Sequence, residues 1–176
     1  VWYLGSQESV CPGCSRGCNI NIEYEKSRPY HSKDGRVMRL KPRENQAVNR
    51  WWMCDEGRYA YKSIDQDRIT KLKGSTWTET LLKIALLIKT DKAQNSWALL
   101  ASPQHTNEEI FLIKIFFKDT LKWKHIGFQA PLGDGYEDDF LLKKDKNPNT
   151  AGAARILSLN KASDDFTPIF EKAKRG

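Results

Sequence analysis

The sequence has no apolar run long enough to cross a membrane. Of its 176 residues, 39% are hydrophobic and 29% are charged, and its longest apolar stretch, residues 81–88, is interrupted by Lys83. A helix that spans a bilayer needs about 20 consecutive apolar residues. The sequence therefore predicts no direct membrane span, and we expect any association with a membrane to go through partner proteins.

A secretion signal is also missing. No charged and apolar leader opens the chain, so we expect a reducing compartment. The chain begins at Val1 without a methionine and stops at Gly176 after a lysine-rich run. These ends predict a fragment of a longer polypeptide.

Catalytic signatures are scarce. The three histidines, His31, His105 and His125, have no neighbour at metal-binding spacing, and we assign them no role. Residues 132–135 contain glycines but lack the G-x-G-x-x-G pattern of a phosphate loop, so they predict a turn. We identify no catalytic acid, base or nucleophile, and we expect no substrate-converting site in this chain.

Cysteine is rare but ordered. The four cysteines form a C-x2-C-x3-C cluster followed, after 35 intervening residues, by one more: Cys11, Cys14, Cys18 and Cys54. This layout suits a cubane iron–sulfur cluster, because one loop can wrap three iron corners while another segment closes the fourth. The spacing predicts that the four thiolates bind one [4Fe-4S] cluster.

Two other uses of the cysteines stay open at this point. A structural zinc site also takes four thiolates, but zinc folds usually carry their ligands as two short pairs, whereas here the fourth ligand stands alone. Disulfides are the third possibility. A chain of 176 residues can bury a core without them, so they explain less.

The first part of the chain, residues 1–63, is the predicted cluster domain. Residues 19–24 alternate polar and apolar side chains as a strand does, residues 36–40 are the expected pairing strand, and Asp34-Gly35 is a hairpin signal. Residues 50–53 place bulky apolar groups directly before the fourth cysteine. We expect them to exclude water from the cluster.

The second part, residues 64–176, predicts a partial α/β domain. Capping boxes and apolar spacing give the order helix, strand, helix and strand at residues 76–90, 97–101, 106–121 and 122–128. A strand, a helix and a strand in that order imply parallel strands. An exposed irregular connection is expected to residue 152, and a last helix over residues 163–173.

The net charge of +7 raises a hypothesis of another class, a zinc-stabilised basic module that binds nucleic acid or protein. Nine Lys or Arg residues lie within residues 26–58. They are scattered between acids, without a concentrated basic stripe or an RNA-binding signature. We therefore expect no nucleic-acid partner, and expect the basic residues to offset the negative charge of a thiolate-bound cluster.

Several longer motifs carry a family resemblance. They are VWYL at 1–4, CPGCSRGCNI at 11–20, REN at 43–45, VN at 48–49, WMCDEGR at 52–58 and KNPNTAGA at 146–153. With them the chain resembles the family of the large iron–sulfur subunit of bacterial NADH-quinone oxidoreductase, which is respiratory complex I. That family is similar to the molybdopterin oxidoreductase superfamily in its cluster domain and its α/β domains.

The resemblance implies a fold, a function and partners. The fold would be α+β / α/β, a small [4Fe-4S] domain with a β-hairpin followed by a truncated molybdopterin oxidoreductase-like α/β domain. The chain would carry electrons within a respiratory NADH dehydrogenase, beside the NADH- and flavin-binding subunit and other iron–sulfur subunits of the peripheral arm. It would lie on the cytoplasmic side of the bacterial inner membrane.

One departure separates this chain from the catalytic molybdenum enzymes of the superfamily. Those enzymes usually carry a lysine just after the fourth cysteine, between the cluster and the pterin, whereas here Asp55 and Glu56 follow Cys54. Two acids disfavour an anionic pterin pyrophosphate, so we expect no molybdopterin. A fragment of a molybdopterin-dependent enzyme, of formate dehydrogenase or nitrate reductase type, is the alternative.

Overall fold

The computed structural model describes residues 3–26, 35–90, 97–130, 135–159 and 169–171. Its strands and α-helices, in chain order, are β1 (Leu4–Val10), β2 (Asn19–Glu25), β3 (Val37–Pro42), α1 (Asp55–Tyr59), α2 (Trp77–Thr90), β4 (Ala98–Ala101), α3 (Asn107–Ile113), β5 (His125–Phe128) and α4 (Thr150–Leu157). A 3-10 turn follows α1 at Ala60–Ser63, and a π-helical segment at Lys114–Thr120 continues α3.

An antiparallel sheet in the order β1-β2-β3 forms the first part of the fold. The predicted pairing of β2 with β3 is confirmed, with Ile22 opposite Leu40. The hairpin turn expected around Asp34 lies outside the described residues. Sequence analysis did not predict β1, whose Gly, Ser and Gln residues are weak strand formers, and the strand owes its place to continuous pairing with β2.

The cysteine loop, which we define as residues 11–18, connects β1 to β2. β1 ends at Val10 and β2 begins at Asn19, and these two residues are paired across the sheet. The Cys11 N–H donates to the carbonyl of Cys18 at 2.8 Å. The loop therefore closes an antiparallel hairpin, and both of its ends are fixed by the strands.

The second part of the fold packs α3 and α4 beside a parallel pair of strands. β4 and β5 pair in parallel from Ala98 opposite His125 to Ala101 opposite Phe128, as predicted. Their core joins the two helices through buried side chains, namely Ala101, Ile110, Phe128, Ala153 and Leu157. The antiparallel sheet, the parallel pair and the helices together give the predicted α+β architecture.

The helix starts also follow the sequence. Thr106 and Glu109 form a reciprocal capping box, in which each side chain accepts from the other residue's backbone N–H. Thr76 and Glu79 make the same pair of bonds ahead of α2. No helix in the described ranges has the length and apolar character needed to cross a membrane.

The connection between β5 and α4 corrects an expectation. Residues 135–149, which we call the covering segment, are irregular as predicted, but they are not simply exposed, since Leu141 and Asn147 are 6% and 4% exposed. Helix α4 also begins at Thr150, within the stretch predicted to be irregular. The expected helix over residues 163–173 lies outside the described residues, except for helical residues 169–171.

Candidate metal centre

The cysteine loop and the start of α1 bring all four cysteines to one place. Cys11, Cys14 and Cys18 are 5%, 6% and 4% exposed, and Cys54 is partly buried. The charges of the other three cysteines all raise the pKa of Cys18, so the four sulfur atoms lie within electrostatic range of one another. None of the four forms a disulfide. The structure thus groups the residues that the spacing singled out.

Cys54 stands at the N-terminus of α1. Its Sγ accepts from the Gly57 backbone N–H at 3.4 Å and so caps the helix. The cap fixes the side chain of the fourth cysteine on the first turn of the helix.

Gly57 lies close to the sulfur atoms of Cys11 and Cys54, and its lack of a side chain leaves space for them. A Cβ at this position would lie 2.7 Å from Cys11 Sγ and 3.5 Å from Cys54 Sγ. A Cβ on Gly13 would lie 3.6 Å from the Gly57 Cα, so the backbones of the cysteine loop and α1 also face each other closely. A side chain at Gly57 would therefore stand between the first and fourth cysteines.

An apolar shell surrounds the sulfur atoms. Ile20, Leu40, Met53 and Leu141 are 1%, 4%, 7% and 6% exposed and form one buried cluster with Cys11 and Cys18. The expectation that residues 50–53 exclude water is right only for Met53. Trp51 and Trp52 are 59% and 56% exposed, and the Trp52 ring packs edge-on against Phe140. The aliphatic side chains exclude the water instead.

Burial disfavours the charged forms of Cys11 and Cys18. Desolvation raises the pKa of the Cys11 thiol, against a backbone hydrogen bond from Gly13, and neighbouring cysteines add to the rise. Desolvation and the other three cysteines raise the pKa of Cys18 to about 11, and the Arg16 charge opposes them. Without a cation the site therefore favours neutral thiols, and a metal that binds here must displace their protons.

The covering segment closes the site from the side of α4. The Ser15 N–H in the cysteine loop donates to the Asp145 carbonyl at 2.8 Å. The Asp138 carboxylate accepts from the backbone N–H groups of Phe140 and Leu142 at 3.0 and 2.8 Å, which holds Leu141 against the cysteines. Sequence analysis missed this contact, since no local pattern in the segment indicates what it covers.

A lysine of the covering segment, Lys146, forms an ion pair with Glu56, which closely follows the fourth cysteine. Lys146 Nζ lies 3.5 Å from Glu56 Oε2, and its side chain is 16% exposed. The sequence carries acids where the molybdenum enzymes carry a lysine, and this ion pair offsets one of them. The pair also ties α1 to the covering segment.

The two histidines in the described part of the chain, His105 and His125, lie on elements other than the cysteine loop and α1. His105 Nδ1 lies 3.4 Å from the Glu109 carboxylate at the start of α3, His125 lies on β5, and His31 is outside the described residues. In the described ranges, no group of at least three His, Cys, Asp or Glu side chains has a geometry suited to one metal ion. The cysteines therefore lie close together without converging on a single point.

A second feature of the surface is a cavity of about 450 Å³ between the cysteine loop and the β4–α3 loop. Val10 and Pro12 line one side, and His105 and Thr106 line the other. The Glu109 carboxylate accepts from the Thr106 N–H at 2.8 Å, where a phosphate would otherwise bind the helix N-terminus.

Comparison with known proteins supports the cluster domain. Residues 6–66 match the family model described as Molybdopterin oxidoreductase Fe4S4 domain. The match covers the antiparallel sheet, the cysteine loop and α1. It supports an iron–sulfur cluster at this site.

Relatives match over more of the chain. The G subunit of NADH-quinone oxidoreductase from Streptomyces coelicolor is 27% identical over 97% of the chain and 20% of its own length. The predicted resemblance is confirmed. F420-dependent formate dehydrogenase subunit alpha from Methanocaldococcus jannaschii is 29% identical over 70% of the chain and 18% of its own length. NADPH-Fe(3+) oxidoreductase subunit alpha from Geobacter sulfurreducens is 29% identical over 75% of the chain and 16% of its own length.

All these relatives are named as oxidoreductase subunits, in agreement with the predicted class. The chain spans a fifth or less of their length, with 18%, 20% and 16% of the three covered.

Proposed function

We propose that Cys11, Cys14, Cys18 and Cys54 hold one [4Fe-4S] cluster and that the chain works in electron transfer. The observation that carries the proposal is that four free cysteines, three of them buried, lie within electrostatic range of one another, with Gly57 close to the sulfur atoms of Cys11 and Cys54. Burial and the neighbouring cysteines raise the pKa of Cys11 and Cys18, so these two thiols need a cationic partner to ionise near neutral pH. When bound, such a cluster takes up and releases one electron.

The residues of the chain fit that group in three ways. The sheet and α1 supply three ligands from one loop and the fourth from a helix start, which suits a cubane. The apolar shell lowers the local dielectric and keeps out water, and the Gly57 N–H donates to a ligand sulfur. The fourth cysteine follows the other three after 35 intervening residues, whereas zinc folds usually bring their ligands as two short pairs.

The proposed setting is a respiratory NADH:quinone oxidoreductase. It rests on the match, along 97% of the chain, to the Streptomyces NADH-quinone oxidoreductase relative. There the chain would carry electrons in contact with other peripheral-arm subunits, without a substrate site of its own, on the cytoplasmic side of the membrane. Residues 1–63 would form the cluster domain, and residues 64–176 part of a molybdopterin oxidoreductase-like α/β domain.

We further propose that no molybdopterin binds. Asp55 and Glu56 follow the fourth cysteine, and Lys146 pairs with Glu56 rather than offering a free positive charge. The resemblance to a formate dehydrogenase subunit supports the alternative of a molybdopterin-dependent enzyme. Molybdenum, tungsten and pterin analysis of the full-length protein separates the two, since the complex I setting predicts none of the three.

The cluster is tested by anaerobic reconstitution, with iron, sulfide and zinc counted per chain. We expect about four iron and four sulfide, and a visible absorbance that bleaches with dithionite. The Cys54→Ser variant should lose iron, whereas Ser6→Ala on β1 should not. One zinc per chain and no colour would contradict the proposal and favour a zinc-stabilised binding module.

A further inference from the structure

Asn49 joins the two segments that carry the cysteines. It lies between β3 and α1, and it is 2% exposed. Its Oδ1 accepts from the N–H of Asn19, the residue after Cys18, at 3.0 Å. Its Nδ2 donates to the carbonyl of Trp52, two residues before Cys54, at 3.1 Å. One side chain therefore spans from the end of the cysteine loop to the approach of the fourth cysteine.

Further bonds fix the orientation of this amide. Nδ2 also donates to the Arg43 carbonyl at 3.2 Å, so both of its hydrogens are used. The Asn49 N–H donates to the Asn45 carbonyl at 3.1 Å, and the Asn49 carbonyl accepts from the Trp52 N–H at 2.8 Å. Two carbonyls and one N–H around the side chain need two donors and one acceptor. Among side chains of this size only an amide supplies them.

The backbone between Asn49 and the fourth cysteine is short and strained. Arg50 adopts a positive φ of 50°, which non-glycine residues rarely adopt. The Asn45 N–H bonds to the Arg50 carbonyl at 2.9 Å and the Arg50 N–H to the Asn45 carbonyl at 2.7 Å, so the turn is closed on itself. The Asn49 Oδ1 accepts from the backbone of β2, the strand that follows the cysteine loop. This bond ties the turn to the loop.

We propose that Asn49 is the positioning residue that sets Cys54 against the cysteine loop, and so decides whether the fourth iron corner is held. This inference rests on the proposed cluster. Substitution by Asp would keep the size and remove both donors, which leaves a buried carboxylate facing the carbonyls of Arg43 and Trp52. The segment before Cys54 would then move away, while Cys11, Cys14 and Cys18 keep their hairpin.

The test compares Asn49→Asp with a matched change in the second part of the fold. Asn149 Nδ2 donates to the His105 carbonyl at 2.9 Å and to Asn107 Oδ1 at 3.0 Å, and neither acceptor belongs to a cysteine segment. Asn149→Asp thus removes two donors in the same way. The full chain and both variants are reconstituted anaerobically, and the readouts are iron and sulfide per chain, the EPR spectrum and Tm.

We expect both variants to lower Tm, but only Asn49→Asp to hold about three iron atoms against four sulfides. Its EPR spectrum should match that of Cys54→Ser, the direct loss of the fourth ligand. If Asn49→Asp does not fold, Asn49→Ser, which adds no charge, is measured instead and should show the same loss of iron in part. A full iron count and an unchanged spectrum in the folded Asn49 variant would overturn the inference. Wild-type chain without iron would overturn the proposed function itself.

Discussion

The clearest perturbation of the metal centre is Gly57→Ala. The added Cβ would lie 2.7 Å from Cys11 Sγ and 3.3 Å from Met53 Cε, and the first of these distances is shorter than real Cβ contacts. Overpacking of this kind costs about 1–3 kcal/mol. Alanine in a helix is better than glycine by about 1 kcal/mol, so the net loss of stability should be at most about 2 kcal/mol.

We expect Gly57→Ala to affect cluster binding more strongly than the stability of the fold. To relieve the contact, α1 must move away from Cys11 or the Cys11 side chain must turn, and either change alters the spacing of the first and fourth sulfur atoms. We expect Gly57→Ala to hold less iron after anaerobic reconstitution and to show a changed EPR spectrum. Urea unfolding of the metal-free chain measures the loss of stability, and iron analysis measures the loss of the cluster.

Gly152→Ala is the matched control. It also adds a Cβ to a helical glycine in close contact, here with the side chains of Asn107 and Asn149 in the second part of the fold. It should lower stability and leave the iron count and the spectrum unchanged. If Gly57→Ala keeps its full iron count and spectrum, or if Gly152→Ala loses iron equally, the spatial role assigned to Gly57 is refuted.

Three further predictions follow from burial and charge. The raised pKa of Cys18, about 11 against 9.0, means that the folded metal-free chain binds more protons than the unfolded chain between these values. Its unfolding free energy should therefore fall as pH rises from 9 to 11, a slope that Cys18→Ser should reduce in urea titrations. Leu141→Ala should cost about 2–5 kcal/mol and speed the bleaching of the cluster in air, whereas Leu100→Ala, at an exposed position, should do neither. Thr106→Ala removes a capping bond and should cost about 1 kcal/mol in urea unfolding without changing the iron count.

Local sequence patterns predicted the helices and strands that are specified by residues close to them in the sequence. Thr76 and Thr106 with their glutamates indicated two helix starts, and the parallel pairing of β4 with β5 followed from the order of the elements. The cysteine spacing likewise selected the residues that the structure groups. The helix starts are specified within a few residues, and the strand pairing and the cysteine group by an order or spacing that can be read along the chain.

Contacts that no cysteine spacing and no order of elements indicates were not predicted. The shielding of the cysteines by Leu141 depends on a covering segment of ordinary turn composition, held by the Ser15 bond to Asp145. Trp51 and Trp52 are apolar and close to the fourth cysteine, yet both side chains are more than half exposed. The burial of these side chains depends on hydrogen bonds between segments that are distant in sequence. The hydrophobic pattern alone does not specify those bonds.

Native mass spectrometry of the anaerobically reconstituted chain tests the central claim most directly. The account predicts an added mass equal to one [4Fe-4S] cluster, and the loss of that added mass in Cys54→Ser. An added mass of a single zinc ion, or no added mass on a chain whose cysteines remain free, would contradict it.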